Sequence, residues 1–84
     1  TLAIAREVAR VGIRAMTAAP GILWTPMVDG MPAAVQESLS ASIPFPSRLG
    51  QPGEFADLVA YIIGNRYLNG ETIRLDGAVR LAPK

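Results

Sequence analysis

A chain of 84 residues forms at most one small domain, which buries only roughly 60 to 65 per cent of the surface its unfolded chain would expose. It contains no Cys and no His, so disulfides and the usual zinc ligands are excluded as sources of stability. Eight basic and seven acidic residues are scattered along the sequence, so no continuous positive face favours a nucleic-acid partner.

Apolar residues make up 50% of the chain and charged residues only 18%. This apolar fraction is high for a small soluble domain, and we expect part of the apolar surface to pack against other protein segments. No uninterrupted apolar run approaches ~18 residues, so we expect neither a membrane span nor a signal peptide. Thr1 enters directly into a helical pattern, and we expect that the beginning of the protein is missing.

The first predicted elements are a helix and a buried strand. Residues 1–11 have apolar positions at helical spacing, and Gly12 follows where a glycine commonly ends a helix. Residues 13–18 form a short, mostly apolar run that is typical of a strand buried on both faces. This strand is expected to end at Pro20-Gly21.

A second helix is predicted from Met31, with Pro32 at its first helical position. Pro44 and Pro46 stop it, and an irregular connector leads to Gly50. The apolar face of this helix is expected to consist of Val35, Leu39 and Ile43.

The third helix has the clearest periodicity, and it is predicted to begin at Pro52 and to end near Gly64. Residues 71–75 follow as a strand that ends at the turn Asp76-Gly77. We interpret the apolar stripe of this helix as core that covers a sheet: Phe55, Leu58, Val59, Ile62 and Ile63.

This order of elements predicts an α/β fold with two parallel strands and flanking helices, joined by one crossover with a large insertion. Two parallel strands cannot be covered on both faces by so few helices. The sequence therefore predicts the C-terminal portion of a larger, doubly wound parallel sheet of the Rossmann type. We divide this portion into three parts. Residues 1–30 contain the first helix, the strand and a loop, and residues 31–50 contain the second helix and the connector. Residues 51–84 contain the last helix, the last strand and a tail.

Three ordered segments carry a family resemblance. TAAPGILWTP at residues 17–26 resembles the Pro-Gly-x-x-x-Thr segment that follows a strand in short-chain dehydrogenases. PFPSRLG at residues 44–50 and YLNGETIRLDGAVRLAP at residues 67–83 are similar to the type 2 3-hydroxyacyl-CoA dehydrogenases, the branch that also includes 17β-hydroxysteroid dehydrogenase type 10. This resemblance implies an oxidoreductase that moves a hydride between NAD and a secondary alcohol or ketone, in the cytoplasm or the mitochondrial matrix.

The resemblance also implies roles for individual residues. Backbone groups at Ile22 are expected to hold the nicotinamide carboxamide, and the Thr25 hydroxyl is expected to bind the cofactor. A proline at the carboxyl end of a strand and a glycine that permits close approach fit such a site. The full set of expected cofactor-binding residues is Pro20, Gly21, Ile22, Leu23 and Thr25.

Residues 27–43 correspond to the substrate-covering loop and helix of the family, and we call them the lid segment. Trp24, Met27 and Met31 are the expected substrate residues, because a Trp can narrow an acyl pocket and flexible Met side chains suit an adaptable lid. Ordinary packing explains Met27 and Met31 equally well, and a lone Trp such as Trp24 is more often a packing residue. The expected substrate is an acyl-CoA or a hydroxysteroid-like molecule, and the expected assembly is a homotetramer.

The residues that perform the family's chemistry are not in this sequence. Tyr61 is followed four positions later by Asn65, and Tyr67 by Glu71, so neither belongs to a Tyr-x-x-x-Lys pair. No glycine-rich pyrophosphate loop occurs either. We therefore expect no catalytic residue and no metal ligand in this chain.

Two alternatives stay open at this point. A 3-oxoacyl reductase that uses NADP would share these segments, because the residue that selects the cofactor follows the second strand of the domain, outside this sequence. A noncatalytic α/β module could instead use the helix at residues 52–63 to bind a partner. Arg48 is expected to pair with a carboxylate and Asp76 to make a turn, and neither is assigned to catalysis.

Overall fold

The computed structural model describes residues 1–80. Helix α1, Leu2–Val8, continues as a 3₁₀ turn at Ala9–Val11. Gly12 follows with a φ of 76°, a left-handed conformation that glycine adopts without steric cost and that commonly ends helices. The predicted first helix and its glycine end are confirmed.

The two strands are parallel, as predicted. Strand β1, Thr17–Pro20, pairs along its whole length with strand β2, Thr72–Leu75. Thr17 lies opposite Thr72, and Pro20 lies opposite Leu75, so both strands end at the same edge. Residues that follow either strand are therefore brought together at the carboxyl end of the sheet.

The predicted start of the first strand is wrong, whereas its expected end at Pro20 is confirmed. β1 begins at Thr17 because the preceding residues lie beside a turn instead of a strand. The Ala15 carbonyl accepts a hydrogen bond from the Gly70 amide at 2.8 Å, and the Ala15 amide donates to the Asn69 side chain at 3.0 Å. Burial on both faces is also absent within residues 1–80, where Thr17 and Pro20 are exposed.

The insertion between the strands contains two helices, of which one was predicted. Helix α2, Pro26–Asp29, is too short to produce a hydrophobic period, so the sequence reading missed it. Helix α3, Ala33–Ala41, begins one residue after Pro32, which precedes the helix instead of taking its first position. Ile43 lies beyond the helix end, yet only 3% of it is exposed.

Helix α4, Pro52–Gly64, has the predicted bounds. Four residues of its predicted apolar stripe are partly buried, but Ile63 is 67% exposed, so the core interpretation fails for Ile63 within the described chain. The four partly buried residues are Phe55, Leu58, Val59 and Ile62.

The end of α4 is fastened to the start of β1 by one side chain. The Arg14 guanidinium donates to the carbonyls of Ile62 at 2.9 Å, Ile63 at 3.0 Å and Leu68 at 3.0 Å. Carbonyls in the last turn of a helix lack partners inside the helix, and the helix dipole favours a cation there. Arg14 therefore serves as a cap that is distant in sequence.

The buried residues concentrate where the insertion meets the sheet. Val28, Ile43 and Leu49 form one apolar cluster, which we call the lid core. Partly buried Ile22, Trp24, Leu39 and Val79 pack against it. Among residues 1–80, no helix has both the length and the apolar character needed to span a membrane. The predicted tail falls largely at residues 81–84, outside the described residues.

Candidate functional site

The candidate site is the loop that leaves the carboxyl end of β1, residues 20–25, which we call the PG loop. The Gly21 amide donates to the Leu75 carbonyl at 2.9 Å and extends the pairing beyond the strand. A Cβ atom at Gly21 would lie 2.5 Å from the Asp76 Cβ atom, which is closer than non-bonded carbon atoms approach one another in proteins. Glycine is required here because the loop passes directly against the end of β2.

The PG loop is held from its other side by the connector, residues 44–50. The Trp24 amide donates to the Gly50 carbonyl at 2.7 Å, and the Gly50 amide donates to the Ile22 carbonyl at 3.0 Å. A Cβ atom at Gly50 would lie 2.6 Å from the Leu23 Cδ2 atom, so a larger residue there would displace the Leu23 side chain. The sequence reading did not assign Gly50 to the site, although its place in the PFPSRLG segment was a signal.

These contacts leave hydrogen-bonding groups available along the loop. Within the described part of the chain, the amides of Ile22 and Leu23 donate to no protein acceptor. The Thr25 hydroxyl oxygen accepts a bond from the Val28 amide at 3.4 Å and caps α2. A hydroxyl has one proton and two lone pairs, so its proton is still available to a ligand. Loop amides and a hydroxyl suit a carboxamide, which both accepts and donates hydrogen bonds.

The three predicted substrate residues differ in packing and in exposure to solvent. Trp24 packs against the lid core, so it has a structural role in addition to any contact with substrate. Met27 on α2 is 76% exposed, whereas Met31, between α2 and α3, is partly buried. The structure thus places a Trp and two Met residues around one insertion without joining them into a closed pocket.

A small cleft of about 90 Å³ lies between the PG loop, the connector and the end of β2. Pockets for drug-sized ligands span roughly 300 to 1,000 Å³, so this cleft alone is too small for a nucleotide. Its apolar wall includes Ile22, Leu23, Ile43 and Leu75. The exposed side of the PG loop is therefore the better candidate for a cofactor contact.

Arg48 pairs with a carboxylate, as expected from the sequence. Its guanidinium binds both oxygens of Glu54, at 2.8 and 2.9 Å. Glu54 also accepts a bond from the Gln51 amide at 2.9 Å, at the start of α4. The Arg48 hydrogen bonds, followed by the Gln51 amide, lower the pKa of Glu54 from its usual 4.5 to about 2. This pair locks the connector to α4.

Asp76 makes the expected turn and also pairs with two arginines. Its carboxylate accepts from the Ala78 amide at 3.0 Å and lies 2.7 Å from Arg74 and 3.2 Å from Arg80. Its side chain is only 7% exposed. Desolvation disfavours its charge, but the Ala78 amide and Arg74 outweigh it, so the pKa of Asp76 lies below its ordinary value.

No metal-binding cluster is found among residues 1–80. Within them, no group of three or more His, Cys, Asp or Glu side chains is placed to hold a metal ion. Tyr67 is 99% exposed, and the Tyr61 hydroxyl accepts a bond from Asn65 at 3.1 Å. Neither tyrosine lies on the PG loop.

Comparisons with known proteins agree over almost the whole chain. A family model described as "Enoyl-(Acyl carrier protein) reductase" matches residues 1–79. Proteins from Bos taurus and Homo sapiens, each named "3-hydroxyacyl-CoA dehydrogenase type-2", are 55% identical to this chain over 99% of its length. The matched region is 32% of those proteins, so this chain spans about a third of their length.

A solved structure gives the same result in three dimensions. The crystal structure of 3-hydroxyacyl-CoA dehydrogenase type-2 from Mycobacterium avium matches with a TM-score of 0.94 and 48% sequence identity. The match covers 100% of this chain and 33% of the solved one. Two parallel strands with flanking helices thus coincide with part of a larger fold.

Proposed function

The chain belongs to the short-chain dehydrogenase family and has its Rossmann architecture, and on that premise we propose that the complete protein is an NAD-dependent 3-hydroxyacyl-CoA dehydrogenase. Relatives that are 55% identical and carry that name support the substrate class. The reaction is hydride transfer between the cofactor and the secondary alcohol or ketone of the acyl chain.

The observation that carries this proposal is the geometry of the PG loop. The loop begins where both parallel strands end, the position at which open α/β sheets bind ligands. It presents the amides of Ile22 and Leu23 and the Thr25 hydroxyl. Pro20 and Gly21 direct the chain past Asp76, so these groups lie at the edge of the sheet.

Ile22, Leu23 and Thr25 would hold the carboxamide of the nicotinamide. When bound, NAD supplies the carbon that accepts or donates the hydride. The residues of this chain contribute orientation, because a reacting pair held in alignment avoids much of the entropic barrier. The backbone hydrogen bonds of Gly50 and the Thr25 cap keep the PG loop fixed before any ligand binds.

The substrate side is assigned to Trp24, Met27 and Met31. Unbranched Met side chains adapt to apolar ligands, and the exposure of Met27 leaves it free to meet an acyl chain. An acyl-CoA or a hydroxysteroid-like molecule would suit such a surface. The proton transfer itself belongs to residues of the remaining Rossmann domain, with which this chain must pack.

The proposed setting is a homotetramer in the cytoplasm, or in the mitochondrial matrix of a eukaryote, without a nucleic-acid or membrane partner. The exposed apolar residues Ile63 and Tyr61 on α4 suit burial between subunits. Family membership favours the enzyme over a noncatalytic module that uses the same helix.

Thr25 provides the test of the cofactor assignment. In the complete protein, Thr25→Ala should raise the KM for NAD about fivefold, because a hydrogen bond to the cofactor contributes roughly 1 kcal/mol. Thr25→Ser keeps the hydroxyl and should stay close to the parent in oxidation of a 3-hydroxyacyl-CoA. Equal NAD kinetics in all three proteins would remove Thr25 from the cofactor site.

A further inference from the structure

Gln36 joins the two helices of the lid segment. Its side-chain nitrogen donates to the carbonyls of Met31 at 2.9 Å, Val28 at 3.0 Å and Asp29 at 3.3 Å. All three neighbours are acceptors, so the amide nitrogen must face them, and its two protons are shared among the three oxygens. A single side chain on α3 thereby caps the C-terminal carbonyls of α2.

The Met31 carbonyl depends on this side chain. Within residues 1–80, Gln36 is its hydrogen-bond donor, and no backbone amide takes that place. An oxygen left without a donor in a partly buried position would favour a different backbone path. Removal of the Gln36 donors is therefore expected to release the segment between α2 and α3.

The same side chain is coupled to the PG loop through Val28. The Val28 carbonyl accepts from Gln36 at 3.0 Å, while the Val28 amide donates to the Thr25 hydroxyl at 3.4 Å. The Val28 side chain is 8% exposed and belongs to the lid core, against which Trp24 packs. One residue thus links the lid segment with the loop assigned to the cofactor.

We propose that Gln36 is a positioning residue that fixes Met31 and the lid segment over the acyl part of the substrate. This inference rests on the proposed function for the nature of the ligand. Among residues 1–80, the Gln36 side chain makes no hydrogen bond to the PG loop, and it acts through the backbone of Val28 and Met31. Its effect should therefore fall on acyl-CoA affinity more than on turnover.

The test compares four forms of the complete protein. Gln36→Glu keeps the shape of the side chain but removes its donors, whereas Gln36→Lys retains donors and has no acceptor. Glu37→Gln is the control, because exposed Glu37 makes no side-chain hydrogen bond within the described residues. Steady-state kinetics with a 3-hydroxyacyl-CoA and NAD are combined with amide hydrogen exchange of residues 26–41.

Gln36→Glu should raise the KM for the acyl-CoA about tenfold and change kcat by less than about twofold, as expected for lost hydrogen bonds outside the reacting centre. Exchange in residues 26–41 should accelerate, Gln36→Lys should recover most of the parent KM, and Glu37→Gln should match the parent.

Unchanged exchange and KM in Gln36→Glu would overturn the inference. So would an equally impaired Gln36→Lys, or a parallel fall of kcat and global stability. If the parent protein oxidises no acyl-CoA, the proposed function fails and the acyl assignment of Gln36 fails with it. The exchange measurement would still decide whether Gln36 holds the lid segment together.

Discussion

At the scale of single residues, glycine at position 21 has two possible reasons, the approach of a ligand and close packing against the end of β2. The sequence predicted a glycine that lets a flat ring approach, and that role stays a prediction. The structure adds a requirement that no sequence pattern revealed, the contact with Asp76 at the end of β2. This contact joins residues 55 positions apart, and only the register of the parallel strands brings them together.

Gly21→Ala should destabilise the complete protein by about 1 to 3 kcal/mol, the usual cost of forcing an extra carbon into a packed position. Gly53→Ala is a matched control, because a Cβ atom there meets nothing within 4 Å in the first turn of α4. The control should be neutral or slightly stabilising. Equal urea midpoints for both variants would contradict the close approach at Gly21.

At the scale of elements, hydrophobic periodicity predicted the helices that span several turns and missed the helix of a single turn. α4 has its predicted bounds because thirteen residues display a full apolar pattern. α2 has four residues, and its sequence signal was a cap, Thr25 followed by Pro26, rather than a period. The start of β1 was misplaced because Ala15, within the mostly apolar run 13–16, bonds to the Asn69-Gly70 turn, a contact distant in sequence.

Arg14 supplies a prediction for the end of α4. Arg14→Met should lower the free energy of unfolding of the complete protein by about 2 kcal/mol, because carbonyls of the last turn lose a charged donor. Arg66→Met is the control, since exposed Arg66 makes no side-chain hydrogen bond among residues 1–80. Urea denaturation followed by circular dichroism measures both. A neutral Arg14→Met would show that the cap is dispensable.

The Arg48–Glu54 pair makes the junction of connector and α4 sensitive to acid. The pKa of Glu54 is lowered from 4.5 to about 2, so its contribution to stability is full above pH 4.5. It is lost as the pH falls through 4.5 toward 2, because the unfolded state then binds the proton first.

Glu54→Gln should therefore be less stable than the parent at neutral pH, and this difference should shrink below pH 4.5. Asp57→Asn is the control, because exposed Asp57 on the same helix forms no ion pair within the described chain. Thermal unfolding at a series of pH values provides the comparison. A difference that stays constant with pH would rule out the ion pair as its cause.

At the scale of the whole molecule, the sequence predicted incompleteness from architecture alone. The structure agrees: two strands make the sheet, and the buried hydrophobic residues of the described chain are Ala5, Val28, Ile43 and Leu49. Leu2, Ile4 and Ile13 are each more than half exposed. Composition could not reveal which apolar residues face the rest of the domain, because core and interface residues are chemically alike.

Residues 1–84 expressed alone should not unfold cooperatively, because so few buried side chains cannot offset the entropy of ordering the chain. The near-ultraviolet circular dichroism of Trp24 during urea titration should change gradually. A sharp sigmoidal transition of a monomer would show that this segment is a domain in its own right.

The most direct test is oxidation of a 3-hydroxyacyl-CoA by the complete protein, with NAD and NADP supplied in separate reactions. We predict NADH formation with a much higher kcat/KM for NAD than for NADP. Preference for NADP would instead identify a 3-oxoacyl reductase, and no hydride transfer with either cofactor would contradict the assignment of the PG loop to a dehydrogenase site.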